Sequence, residues 1–153
     1  MNRVHLLQQE QVLPIPVEEA WAFFSHPKNL AVITPETLNL KFTNEVYGDT
    51  IYAGQIITYK VKPLLGIPFF WLTEITHVEP QRFFVDEQRR GPYALWHHQH
   101  HFKPIAGGTE MTDIIHYQLP FGILGNLALP LVKKQLAQIF AYRKQKVNEL
   151  FKH

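Results

Sequence analysis

Tyr93-Ala94-Leu95-Trp96-His97-His98-Gln99-His100-His101-Phe102 is the stretch on which the reading of this chain turns. Four histidines in five positions suggest metal, but alternate side chains of a strand point to opposite faces, so the four divide two and two. Trp96, His98, His100 and Phe102 share one face, and His97, Gln99 and His101 share the other. Two aromatics enclosing two imidazoles suit the wall of a pocket better than a dry core or a wet surface, because a buried imidazole needs a partner.

Working outward, Gly91-Pro92 and Gly107-Gly108 bracket this stretch as turns, and the two-residue period recurs on both sides. Strands are expected over 39–46, 53–62, 69–79, 82–90, 94–104 and 109–119, with Gly48-Asp49, Pro63 to Pro68 and Pro80-Gln81 as the other breaks. Short connections between successive strands imply antiparallel neighbours, so these six form a meander. The extended segment Arg3 to Leu13 brings the sheet to seven strands. Between it and the meander, Val17, Trp21 and Phe24 fall at helical spacing, with Glu18 and Glu19 in the first turn. His26-Pro27 ends that helix, and a second short helix over 28–33 stops at Thr34-Pro35.

The carboxy-terminal part reads as one long helix over 127–151. Its apolar stripe is Leu127, Leu131, Leu136, Ile139, Phe140, Val147 and Leu150, and Pro130 lies in its first turn or kinks it. Lys133, Lys134, Arg143, Lys144 and Lys146 lie largely off that stripe and read as its wet face. The fold class is α+β: a curved antiparallel sheet wrapped around one terminal helix. A single helix does not easily fill such a curve, and the space left over is where a cavity is expected.

Composition bounds the function. A chain of 153 residues, 46% hydrophobic and 18% charged, is expected to form one globular domain over 1–153 with a real core. A net charge of +2 with scattered Lys and Arg gives no nucleic-acid footprint. The absence of cysteine excludes disulfides and thiol chemistry, and neither a leader segment nor a membrane-length apolar run is seen. The expectation is a soluble cytoplasmic protein without stable membrane insertion, a monomer or weak homodimer that needs no cofactor. Two apolar segments, Lys62 to Trp71 (with Leu64, Leu65, Ile67 and Phe69) and Phe121 to Leu131, require cover. Capping the end of the barrel, a lid over the cavity, a transient membrane contact or a dimer contact would each provide it.

Register supplies the candidate site. Pairing 103 with 110 sets Phe102 opposite Met111, His100 opposite Asp113, His98 opposite Ile115 and Trp96 opposite Tyr117. The preceding hairpin brings Asp86 near His98 and Gln88 near Trp96, and the strand before it adds Thr73 and Ile75. The expected ligand-binding set is thus Trp71, Thr73, Phe84, Asp86, Gln88, Trp96, His98, His100, Phe102, Met111, Asp113, Ile115 and Tyr117, facing Leu136 and Phe140. Two buried carboxylate–histidine pairs would favour the imidazolium form. They orient the polar head of an apolar ligand, or they satisfy one another as a buried network. His98 and His100 with Asp86 or Asp113 have the makings of a two-histidine, one-carboxylate metal set, but His-x-His is a weak signal and no metal is assigned.

The order strand, two short helices, six-strand meander and long helix resembles the helix-grip fold of the SRPBCC superfamily, which includes START lipid-transfer domains, plant allergens, polyketide cyclases and coenzyme Q-binding proteins. Phe84-Val85-Asp86-Glu87-Gln88, Gly91-Pro92-Tyr93, the Trp96–Phe102 face, Thr109, Met111, Asp113, Tyr117 and Leu119-Pro120-Phe121-Gly122 are similar to the pattern of bacterial ligand-binding members. Some of those are fused to a nucleotide-sugar epimerase-like domain, for which 153 residues leave no room. The resemblance implies binding, and in some members transport, of a lipid, quinone or polyketide-like aromatic. It implies alternatively a cyclase or dehydratase with His98, His100, Asp113 and Tyr117 as catalytic candidates. An interaction module with no small ligand is the third alternative.

Overall fold

The computed structural model describes residues 3–45 and 48–152. Strands β1 (His5–Leu13), β2 (Lys41–Phe42), β3 (Ile56–Leu64), β4 (Ile67–Glu79), β5 (Phe83–Arg90), β6 (Leu95–Ile105) and β7 (Gly108–Gln118) form one antiparallel sheet in the order β1-β7-β6-β5-β4-β3-β2. Helix α1 (Val17–Phe24) follows β1, and α2 (Ile123–Leu127) and α3 (Leu129–Leu150) follow β7. This is the expected helix-grip architecture, with the meander closed on one side by the first strand.

The registers of the central hairpins are those the alternation requires. Phe102 pairs with Met111, His100 with Asp113, His98 with Ile115 and Trp96 with Tyr117, while Asp86 pairs with His98 and Ile75 with Asp86. Alternate burial along β6 and β7 follows from one face being packed and the other wet.

Four local expectations are corrected. The second short helix is only a 3₁₀ turn at Pro27–Leu30, with another at Glu36–Leu38. The strand expected over 39–46 shrinks to Lys41–Phe42, since Asn39 is left-handed and the Asn44 side chain takes over the pairing, accepting from Thr58 N–H and donating to Ile56 C=O. Val46 of that segment lies outside the described residues. The break expected over Pro63 to Pro68 is a tight hairpin in which strand continues through both prolines, with an irregularity between Val61 and Leu64 absorbing the lost ladder bond. The terminal helix is divided at Ala128, so that Pro130 falls in the first turn of α3, where its missing N–H costs nothing.

Helix α3 crosses the concave face, approaching both β1 and β3, and is tied to β1 by hydrogen bonds. Gln11 Nε2 donates to the Lys144 carbonyl at 3.0 Å and to Asn148 Oδ1 at 2.9 Å, and Gln9 Nε2 reaches the Phe140 carbonyl at 3.4 Å. At one end of the concave face α1 packs solidly: Trp21 meets Phe84 and Phe102 edge-on, and Phe24 also contacts Phe102. The concave face is therefore filled by α1 at one end and crossed by α3. The remaining space is lined by β3, β4, β5 and β6.

Candidate ligand cavity

That space is a cavity of about 200 Å³. Its aromatic wall is built by alternation on three strands: Tyr59 from β3 stacks on Trp71 from β4 at 5.8 Å, and Trp96 from β6 meets Trp71 edge-on at 5.5 Å. Tyr93 closes over Trp96 at 4.8 Å. Leu136, Ile139 and Phe140 of α3 face these rings, and Asp86, His98 and His100 form the polar wall.

Of the residues expected in the site, Trp71, Thr73, Phe84, Asp86, Trp96, His98, His100, Leu136 and Phe140 line the cavity. Gln88, Phe102, Met111, Asp113, Ile115 and Tyr117 do not. Phe102 is consumed by the packing under α1. Met111, Asp113, Ile115 and Tyr117 belong to β7, and the helix tethered to the adjacent strand leaves them off the cavity wall. Gln88 folds back on its own turn: its Nε2 donates to the Tyr93 carbonyl at 2.7 Å, and Tyr93 N–H donates to its Oε1 at 3.0 Å. Glycine at 91 makes this possible, because a Cβ there would lie 2.5 Å from Gln88 Oε1.

The two histidines form a compact cluster with two carboxylates. Their rings stack at 3.7 Å. His100 Nε2 is 2.6 Å from Asp86 Oδ2, and His98 Nε2 is 2.7 Å from Asp113 Oδ1. Arg143, expected on the wet face of the helix, is buried instead and places Nη2 3.3 Å from Asp113 Oδ1. The signal for it was present in the spacing: Leu136, Phe140, Arg143 and Val147 lie on one helical face, and all four are buried. Conversely Leu127, Leu131 and Leu150 of the expected stripe are exposed, while Val132 is buried.

Electrostatics correct the expectation of an imidazolium at His100. Burial, reinforced by the neighbouring His98, outweighs both carboxylates and pulls His100 down to about 4, so it is neutral at neutral pH. A neutral His100 donating Nε2–H to Asp86 leaves Nδ1 without a hydrogen bond, buried 3.4 Å from Asp113 Oδ1. Burial would raise Asp113, but the Arg143 charge and the His98 hydrogen bond more than offset it and hold the carboxyl below its ordinary value. Asp86 is likewise lowered, its burial offset by the His100 hydrogen bond and by the positive charge of Arg143. On the aromatic wall, burial pushes the Tyr59 and Tyr93 hydroxyls upward, so both stay protonated. Trp71 Nε1 is buried without a partner.

Asp86, His98 and His100 offer ligand atoms within 4.8 Å of one another, a spacing that a cation would have to tighten. Asp86 Oδ2 and His100 Nε2 already satisfy each other, and the Arg143 guanidinium beside Asp113 supplies positive charge locally, so the donor set is occupied by internal bonds. Tyr117, one of the expected catalytic candidates, pairs with Trp96 one step beyond the histidines and packs against His5 and Tyr93.

Comparison with solved structures agrees with the architecture. A Chromobacterium violaceum protein superposes with a TM-score of 0.73 at 14% identity, covering 97% of this chain and 99% of that one. A norcoclaurine synthase point mutant from Thalictrum flavum, solved with a transition-state analogue, gives 0.68 at 16% identity, covering 97% of each. A nucleoside-diphosphate sugar epimerase from Corynebacterium glutamicum gives 0.65 at 21% identity, with 94% of this chain matching 28% of that longer one. At these identities the likeness is one of fold alone: an α+β helix-grip fold. No protein-family model matches the sequence, and no curated protein does.

Proposed function

We propose that this protein binds a compact aromatic ligand, of one or two rings with a polar oxygen, in the cavity between the sheet and α3. The observation that carries this reading is Trp71 Nε1, a buried donor without an acceptor on the wall of that cavity. Leaving such a group unpaired costs roughly 1–3 kcal/mol, which a ligand oxygen would recover. Tyr59, Trp71, Tyr93 and Trp96 offer ring faces and edges for a flat body. A volume of about 200 Å³ favours a small ring system over a long acyl chain or a polycycle.

Titration with 2-naphthol, followed by quenching of tryptophan fluorescence, tests this. Saturable binding that is lost on Ile139→Trp, which would fill the cavity, is the expected result. Absence of saturable quenching, or quenching unchanged in that variant, overturns it. Catalysis is the lesser reading, because Tyr117 lies off the wall and the histidines are committed to carboxylates. Tyr59 and Tyr93 are the tyrosine hydroxyls among the described residues that line the ligand space.

A further inference from the structure

The antiparallel meander gathers the β3–β4 hairpin, the β5–β6 turn and the β7–α2 connection at one pole of the sheet. This pole is strongly apolar on its outside. Leu65 and Ile67 at the hairpin are 78% and 50% exposed, and Phe121, Ile123, Leu124 and Leu127 around α2 are 82%, 73%, 72% and 75% exposed. Isolated exposed apolar residues need no explanation, but a cluster from two separate connections does.

The backbone at both connections works to hold them outward. Leu65 and Phe121 adopt φ of 53° and 66°, the left-handed region that bulky side chains rarely occupy. Each is also the most exposed large apolar residue of its turn. Strain of this kind persists where the surrounding structure imposes it, and at functional surfaces it is part of the design. Gly125 contributes in α2, where a Cβ would lie 1.9 Å from the Pro120 carbonyl oxygen, so the connection can fold this tightly only with glycine there.

The charge around the patch is predominantly positive. Lys62, Arg90, Lys133 and Lys134 lie toward this pole, residues 114–148 contain no Asp or Glu, and the exposed Glu36 beside the end of β3 is the acid that opposes them. The acids Glu74 and Glu87 on the sheet are ion-paired to Arg89, at 3.4 Å and 3.3 Å. An apolar surface with a basic rim is the composition that partitions into the headgroup layer of an anionic bilayer. A second copy of the same face would bring like charges together. Insertion would be shallow, since no helix among the described residues is long and apolar enough to cross a membrane.

We propose that this pole, with Leu65, Phe121, Leu124 and Leu127 as its anchors, docks reversibly on an anionic lipid bilayer. Docking would reach the ligand space directly, because Pro63, two residues before Leu65, lines the cavity. The proposal goes beyond aromatic-ligand binding and stands without it.

Flotation with vesicles of phosphatidylcholine alone and of phosphatidylcholine mixed with phosphatidylglycerol tests it. The expected result is partition onto the anionic vesicles, weakened by salt and reduced at least roughly tenfold by Leu124→Asp/Leu127→Asp and, separately, by Leu65→Asp. All three positions are exposed, so the melting temperature should hold. Naphthol titration of the same variants reads the cavity independently, so a failed flotation does not touch the ligand reading and a failed titration does not touch this one. Absence of partition at low salt, or partition indifferent to these substitutions, overturns the proposal. So does a stable solution dimer dissolved by Leu124→Asp/Leu127→Asp, which would assign the face to a second copy.

Discussion

His100 shows how a residue can carry a charge pattern opposite to the one its partners suggest. Asp86 and Asp113 both attract a proton to it, yet burial and His98 win, and its folded value falls to about 4 from 6.5. Between those values the unfolded chain binds a proton that the folded chain refuses, so stability must fall as pH drops from about 6.5 to about 4. Asp86 and Asp113, held below the ordinary carboxylate value, extend the loss at lower pH, since their contribution is present above that value and vanishes as they protonate. Urea unfolding across pH should therefore show two successive declines, and His100→Gln should remove the first and spare the second. An unchanged slope between pH 4 and 6.5 in that variant would show that another group is responsible. Asp86→Asn, which keeps the shape of the acceptor, should alter the preference between 2-naphthol and its methyl ether by roughly tenfold while changing stability by less than about 1 kcal/mol. Equal loss of both would mark the cluster as a structural network.

Helix α3 is the element on which site and stability meet. One turn of it brings Phe140 against His98 at 6.0 Å and the next brings Arg143 to Asp113. Arg143 also lies 5.7 Å from the rings of Phe24 and Phe140, which receive its cation as it is desolvated. Arg143→Met strands a buried carboxylate and should cost roughly 3 kcal/mol, measured as a lower denaturation midpoint with unchanged slope. Asp113→Asn in the same chain should recover part of that loss, because the unpaired charge is gone. A single variant as stable as the parent would show that the ion pair contributes nothing. Gln9 and Gln11 tether the helix to β1 and so govern how far it stands from β3. Gln11→Leu should therefore weaken naphthol binding as well as stability, and an effect on stability alone would separate the tether from the cavity.

At the scale of the whole molecule, the division between what could be read and what could not follows the range of the interactions. The alternation around Trp96–Phe102, the turn glycines and the helical spacing of Val17, Trp21 and Phe24 are local. They determined the order of the meander strands, the hairpin registers and the juxtaposition of His98 and His100 with Asp86 and Asp113, whereas the pairing of β1 with β7 is a distant contact. The sidedness of α3 was not local. Its position depends on Gln9 and Gln11, more than 130 residues away in sequence, and that position decided that Arg143 would be buried. It also decided that Asp113 and Tyr117 would leave the cavity wall while Tyr59 and Ile139 joined it. Sequence alone thus determined which residues share a face, because pleat and register are properties of neighbouring bonds. Only the tertiary structure decided which part of that face stays open and which imidazole stays neutral, because both depend on where one helix comes to rest and how much water it excludes.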